Sequence, residues 1–372
     1  MNSNTKTSCF CATLVLLGVE SAMGQACDPS LLFKSDPVEL VRGKEAEGQE
    51  AIFADHFRYR YQFANEQNKA EFLKNPAKYE IQLGGSCGRM GPLSGPGSTK
   101  IHAVHDGRIY IFASEQCKKT FLSAPENYLE TNDPVPATTP ESTKKGRELL
   151  EKAVEAMGGA SRIDGIRRFV SRREKDEKHQ AKVVATSETL TLEFPDKVRQ
   201  EHSWGESSYS FRAADGKGWY QGSQEGYPLH AQQLASLRRQ TYGHNLVAQL
   251  KARNEPQTII AHQGSAEVER DGKKIAVEKV AVASRGSTIT LGINPASGEI
   301  VSMSYRAAGP RLSLGTIERV FSNYGANGGL ILPMSAAVTF DGKPVEDSPV
   351  HLKYIRLDEP VEPSFFEAPS SK

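Results

Sequence analysis

The sequence predicts an α+β protein: two small strand–helix units in tandem, then a large curved antiparallel sheet with helices on its concave face. Three observations carry this reading. Residues 63–79 (FANEQNKAEFLKNPAKY) recur as residues 112–128 (FASEQCKKTFLSAPENY), identical at nine of 17 positions at an offset of 49, which marks one supersecondary unit used twice. Residues 131–143 (TNDPVPATTPEST) carry three prolines among small polar residues, the composition of a stiff, solvated linker. Beyond them the chain alternates apolar and polar residues in short runs separated by turn signals, as half-buried antiparallel strands do.

The N-terminal end reads as a targeting segment. Lys6 is its positive region, residues 8–19 are apolar, and Ala22-Met23-Gly24 is a small-x-small cleavage signal. The apolar run is shorter than the about 20 residues that span a bilayer. Residues 1–24 are therefore expected to be a signal peptide, leaving an exported chain that is periplasmic or secreted and not integral to the membrane. Cys27, Cys87 and Cys117 remain after cleavage. An odd number of cysteines in an oxidising compartment allows at most one disulfide within the chain. Lys and Arg total 46 against 45 Asp and Glu, a formal net charge of +1, and basic residues are not clustered. Nucleic acid is not an expected partner.

Each repeat has the same local grammar. An aromatic strand (57–63; 108–112) leads to Asn65 or Ser114 as a helix N-cap. A short helix follows, expected to bury Phe72-Leu73 or Phe121-Leu122. Proline then stops it and a tyrosine packs back. Asp106-Gly107 before the second strand signals a hairpin turn. The units are expected over 25–82 and 83–130, the linker over 131–143 and the large domain over 144–372.

Over residues 34–130 this grammar resembles the YHS domain, a small family related to treble-clef metal modules. Asp36-Pro37-Val38 opens the first copy, with Glu39 where the family has cysteine. Gly85-Ser86-Cys87-Gly88-Arg89-Met90 opens the second, and Tyr110 to Cys117 matches the family's second element except that Ala113 replaces a cysteine. The first copy lacks both cysteines and reads as structural. In the second, a soft-metal site of Cys87, His102, His105 and Cys117 would hold a zinc or copper ion through thiolate and imidazole. Histidines three apart in a strand converge only across a bulge or turn. The alternatives are a Cys87–Cys117 disulfide, or thiols that are free or paired with Cys27. The glycine-rich stretch 84–97 lacks the Gly-Lys-Ser/Thr ending of a phosphate cradle.

In the large domain, residues 141–157 have an apolar stripe at helical spacing (Leu149, Leu150, Ala153, Val154, Met157) closed by Gly158-Gly159. Strands are expected over 189–194, 198–204, 208–212, 287–293, 300–305 and 350–357. One long helical segment, about 229–253, interrupts them. The element order and several phrases resemble the LolA/LolB-like lipoprotein-carrier superfamily over about 145–370. These phrases include Phe194-Pro195-Asp196-Lys197-Val198-Arg199, Asp215-Gly216-Lys217-Gly218-Trp219 and Pro363-Ser364-Phe365-Phe366. The resemblance implies a β half-barrel around an apolar cavity that takes a lipid or lipoprotein, or an envelope protein as partner. Leu190, Leu192, Phe194, Phe211, Trp219, Leu234, Leu237, Leu291 and Met303 are the expected groove residues; the alternative to an open cavity is a packed core with a modest groove, and the latter is the expectation.

No His-Glu-x-x-His or Cys-x-x-Cys motif occurs, and His179, His202, His230, His244, His262 and His351 are scattered. The chain is expected to be a non-enzymatic binding protein. The alternative is a metal-handling or thiol-redox accessory protein working through Cys87 and Cys117.

Overall fold

The computed structural model describes residues 31–179, 182–223, 225–346 and 348–369. The signal segment 1–24 and Cys27 lie outside them.

The first repeat unit opens with strand β1 (Leu31–Phe33) and helix α1 (Pro37–Val41) and continues with β2 (Gln49–His56), β3 (Tyr59–Phe63), α2 (Glu66–Lys74) and α3 (Pro76–Tyr79). The second unit is β4 (Ser98–His105), β5 (Arg108–Phe112), α4 (Glu115–Ser123) and a 3-10 turn at Pro125–Asn127. The repeat extends to details that side-chain identity does not show. Both hairpins shift register at equivalent places, between Gln49 and Phe53 and between Ser98 and His102. Both turn through a positive φ, at Phe57 (53°) and Asp106 (47°). Asn65 and Ser114 cap their helices at φ −157°, with side chains accepting from Asn68 N–H at 2.9 Å and Cys117 N–H at 3.2 Å. Phe72 and Phe121 are fully buried, 5.3 Å from Phe63 and 5.2 Å from Phe112. Leu73 and Leu122, expected on the buried face, are exposed. They follow the buried phenylalanine by one position, about 100° around the helix.

The presumed linker is only partly free. Asp133 is buried and its carboxylate accepts from Arg239 Nη1 and from Thr288 N–H, each at 2.9 Å. Helix α5 (Pro140–Ala156) begins inside the proline-rich segment, with Pro140 in its first turn and a Thr139–Ser142 capping box. Its stripe of Leu149, Leu150, Ala153 and Val154 is buried, each leucine contributing about 1.5–3 kcal/mol. Gly146 lets α5 approach the sheet, because a Cβ there would lie 2.9 Å from His262 N.

After α6 (Ala160–Gly165) come β6 (Arg168–His179), β7 (Lys182–Glu193), β8 (Lys197–Trp204), β9 (Ser207–Ala214), β10 (Lys217–Gln221) and β11 (Gly226–Pro228), in one antiparallel meander. Helices α7 (Ala231–Arg238) and α8 (Leu246–Ala252) lead to a second meander: β12 (Ile259–Arg270), β13 (Lys273–Ser284), β14 (Ser287–Ile293), β15 (Ile300–Ala308), β16 (Leu314–Asn327), β17 (Leu330–Phe340) and β18 (Lys343–Pro344). The expected single strand 350–357 is two short ones, β19 (Val350–His351) and β20 (Tyr354–Leu357). β19 pairs with β17 and β20 pairs with β6. Leu352 N–H donates to Met334 O and Lys353 N–H to Arg172 O, each at 2.8 Å. The chain's last two strands thus run from the eight-stranded sheet of the second meander to the seven-stranded sheet of the first, and the two antiparallel sheets together form the curved wall. The helices pack with the inward residues of both meanders in a single core.

The expected helix 229–253 is broken. A wide π-type turn, Arg239–Gly243, follows α7, His244 leaves the helix, and Asn245 caps α8 by accepting Ala248 N–H at 3.0 Å. Such turns often occur at functional sites. No helix of the described residues is long and apolar enough to cross a membrane.

Candidate functional site

A cavity of about 500 Å³ lies between the curved sheet and the α7–α8 connection. Its apolar wall comes from Phe169, Leu190, Met303, Ile317, Phe321, Leu332 and Ile355, with Leu246 and Val247 from the helical side. Strand alternation explains the set: Ile317 and Phe321 share a face of β16, and Met303 and Tyr305 share a face of β15.

The same alternation turns charged groups inward. Arg173 follows Phe169 and Ser171 on β6, Glu188 precedes Leu190 on β7, and Arg319 sits between Ile317 and Phe321 on β16; all three line the cavity. Glu188 accepts from Arg173 Nη2 at 2.6 Å and Gln200 Nε2 at 2.9 Å. Burial alone would raise its pKa, but Arg173 and then His202 hold it below the usual carboxylate value. Arg319 lies over the Tyr305 ring, 5.5 Å from its centroid. It has no salt bridge among the described residues, and its buried Nε has no hydrogen-bond partner. His244 also stacks on the Tyr305 ring, at 4.1 Å between centroids and 18°. Only 9% of His244 is exposed, and its Nε2 has no partner among the described residues either. Burial, helped by Arg319 and Arg239, holds this imidazole's pKa down to about 3, so it is neutral at pH 7.

Of the nine expected groove residues, Leu190 and Met303 line this cavity. Leu192, Phe211, Leu237 and Leu291 are packed core, and Leu234 packs against that core. Phe194 lines a separate small cleft of about 90 Å³ beside Tyr242 and Lys251. Trp219 pairs with Arg212, one residue out of phase with the inward Gly218 and Tyr220, and so faces away from the core. The sequence alone does not single out Arg319 or Tyr305; it reads Glu188 as a solvent-facing strand carboxylate and His244 as one of the scattered histidines. For Arg319 and Glu188 a signal exists: each is a charge in phase with the apolar residues of its strand.

In the second repeat unit the structure brings Cys87 and Cys117 together as free thiols, with the Cys117 thiol hydrogen-bonded to Cys87. It does not bring the histidines to them. His102 sits edge-on to Phe33 of the first unit, and His105 edge-on to Phe121 of the second. The bulge that could have made them converge lies before His102, so the two rings stay on opposite faces of β4. Among the described residues no three His, Cys, Asp or Glu side chains group so as to hold a metal ion. Two thiols alone fall short of the four-coordinate donor set zinc requires.

The segment joining the two units grips α7. Glu80 accepts from His56 Nε2 at 2.8 Å and His230 Nε2 at 3.1 Å. His230 Nδ1 accepts Gln232 N–H at 3.4 Å, which leaves the proton on Nε2. Leu83 N–H donates to Gln232 Oε1 at 2.5 Å, and Gln233 Nε2 to Ser86 Oγ at 3.1 Å. Gly84 is required at this approach: its φ is +60°, and a Cβ would come within 2.4 Å of Gln233 Oε1. Burial pushes the Glu80 carboxyl up, but the two imidazoles overrule it and bring its pKa to about 2. The folded value is below the unfolded one of 4.5, so the Glu80 contribution is complete above about pH 4.5 and is lost as pH falls through about 2. Glu80→Gln is expected to cost about 1.5–3 kcal/mol at neutral pH and to remove that acid-sensitive step. Urea unfolding at a series of pH values measures both, and an unchanged acid limb would contradict the assignment.

No family model matches the chain, and no curated protein does. Among solved structures it is similar to a DUF1329 family protein from Desulfovibrio piger, with 13% identity, 61% of this chain and 97% of that one covered, and a TM-score of 0.37. It is also similar to a putative outer membrane lipoprotein-sorting protein domain from Vibrio parahaemolyticus, at 10% identity, 60% and 97% coverage and a TM-score of 0.36. A LolA superfamily protein from Nitrosomonas europaea gives 11%, 59% and 96%, and 0.34.

Proposed function

We propose that this chain is a non-enzymatic binding protein that holds one amphiphile in the cavity of its curved sheet. The apolar chain of the ligand lies against Leu190, Met303, Ile317 and Phe321, and its polar head meets Arg319 and His244. The observation that carries this reading is the pairing of volume with unmet polarity. A cavity of about 500 Å³ is within the range of ligand pockets, about 300–1,000 Å³. Its buried Arg319 Nε and His244 Nε2 have no partner among the described residues, and buried polar groups normally have one.

The cationic Arg319 beside a neutral imidazole donor or acceptor favours a carboxylate or phosphate head over an uncharged one. Residues 1–24 serve as a cleaved signal in this reading, so the protein works in the periplasm or outside the cell, where the ligand is a lipid or the acyl part of a lipoprotein. The tandem N-terminal units, with their YHS-like grammar, brace α7 and through it the π-type turn that presents His244.

Head selectivity tests the reading. Titration with a long-chain fatty acid and with its methyl ester is expected to show the acid binding about tenfold tighter, the equivalent of one charge-assisted hydrogen bond. Arg319→Ala is expected to equalise the two. Equal affinities in the unmodified protein would contradict the placement of the head.

A further inference from the structure

The two repeat units solve one structural problem with different chemistry. In the first, Asp36 accepts from Ala64 N–H at 2.7 Å and from Asn68 Nδ2 at 2.8 Å. That buried hydrogen-bond lock ties the unit's opening loop to the first turn of α2. In the second unit Ala113 N–H, at the position equivalent to Ala64, donates instead to Cys87 Sγ at 3.3 Å. Cys117 stands where the first unit has Asn68, and its thiol meets Cys87. The unit therefore folds with an Asp–Asn pair at this place. In the second copy two neighbouring cysteines of one side-chain cluster stand in place of that pair, and cysteines can be joined or parted by a covalent bond.

The two thiols are not equivalent. Cys87 is fully buried among Tyr110, Phe112 and Phe121, and burial pushes its pKa up. Cys117 is half-exposed in the first turn of the nine-residue α4, where its N–H is taken by the Ser114 cap. The Ser114 hydroxyl, then Cys87 and the Arg89 guanidinium hold its pKa below the ordinary thiol value. An exposed thiol that ionises readily attacks, and a buried neighbour resolves.

We propose that Cys117 and Cys87 form a thiol–disulfide exchange centre, with Cys117 as nucleophile and Cys87 as resolving thiol, reacting with a low-molecular-weight disulfide of the glutathione type. The Cys117 thiolate attacks one sulfur of the disulfide, forming a mixed disulfide and expelling one thiolate, which takes up a proton. Cys87 then gives its proton to solvent and attacks the Cys117 sulfur. The Cys87–Cys117 bond forms, the mixed disulfide breaks, and a second thiolate leaves and is protonated. Two cysteine thiols are oxidised, and one external disulfide is reduced to two thiols.

The test uses the full mature chain, reduced, then exposed to oxidised glutathione, acid-quenched, alkylated and peptide-mapped, so that Cys27 is scored separately. The unmodified protein is expected to show a Cys87–Cys117 disulfide that excess reduced glutathione reopens. Cys87→Ser is expected to trap glutathione on Cys117, whereas Cys117→Ser leaves Cys87 unmodified. Because Cys87 is buried and its variant is exposed to folding loss, the alkylation rates of both thiols in the unmodified protein are a second readout, with Cys117 at least about tenfold faster. Equal rates, glutathione trapped on Cys87 as readily as on Cys117, or a disulfide that reduced glutathione never opens would each overturn the proposal. The last outcome would make the pair a structural staple.

Discussion

Leu190→Trp is expected to abolish amphiphile binding while the protein stays folded. Leu190 lines the cavity from β7 and is only partly buried, so an indole there extends into empty space and not into packed core. The neighbouring inward residue, Leu192, is fully buried, and the same change there would force the core apart. Filling the space occupied by the acyl chain should weaken binding by at least about tenfold, on the order of 1.4 kcal/mol or more. The stability change should be small, because overpacking penalties of about 1–3 kcal/mol belong to sites without free volume. Binding isotherms and thermal unfolding of the same sample separate the two effects. Undiminished binding with an intact fold would remove the cavity from the account.

Arg253→Ala is expected to produce the largest loss of stability, about 3 kcal/mol. Arg253 ends α8 and is 1% exposed. Its Nη1 and Nη2 donate to the two Asp164 oxygens at 2.6 and 2.9 Å, its Nε to Glu151 at 3.1 Å, and its Nη1 also to Leu250 O at 2.8 Å. One guanidinium thereby fastens α5, α6 and α8 together. Truncation leaves a hole the size of the side chain. The two carboxylates are about half exposed (46% and 50%) and can rehydrate, which keeps the loss at the low end of the range for a broken buried pair. Arg253→Lys should recover only part of it, since an ammonium cannot make the two-pronged contact with Asp164. Denaturant unfolding checks both, and a loss under about 1 kcal/mol would mean that packing, not this cation, holds the helices.

Much of the architecture was readable because it is local. The repeat at an offset of 49 extends to matched bulges, turns and caps, all set by residues close in sequence. The buried stripe of α5 and the alternating strands of the large domain followed from periodicity alone. What was not readable depends on distant partners. Nothing near residues 350–357 shows that their first half pairs with β17 and their second with β6. The helical reading of 229–253 counted leucines and overlooked Gly243, His244 and Asn245, whose turn aims an imidazole into the cavity. Trp219 is an expected groove residue, while its phase on β10 places it opposite Arg212 on the outer face. His102 and His105 were grouped with the cysteines by sequence position, but the bulge falls on the wrong side of His102 for them to converge. Arg319 belongs to no sequence motif. Its phase with Ile317 and Phe321 is the clue that it points inward.

The most direct test of the cavity as a binding site is native mass spectrometry of the mature protein titrated with a long-chain fatty acid, beside Leu190→Trp. One ligand per chain, bound saturably and absent in the variant, is the expected result. No bound ligand, or several bound without saturation and equally in both proteins, would contradict it.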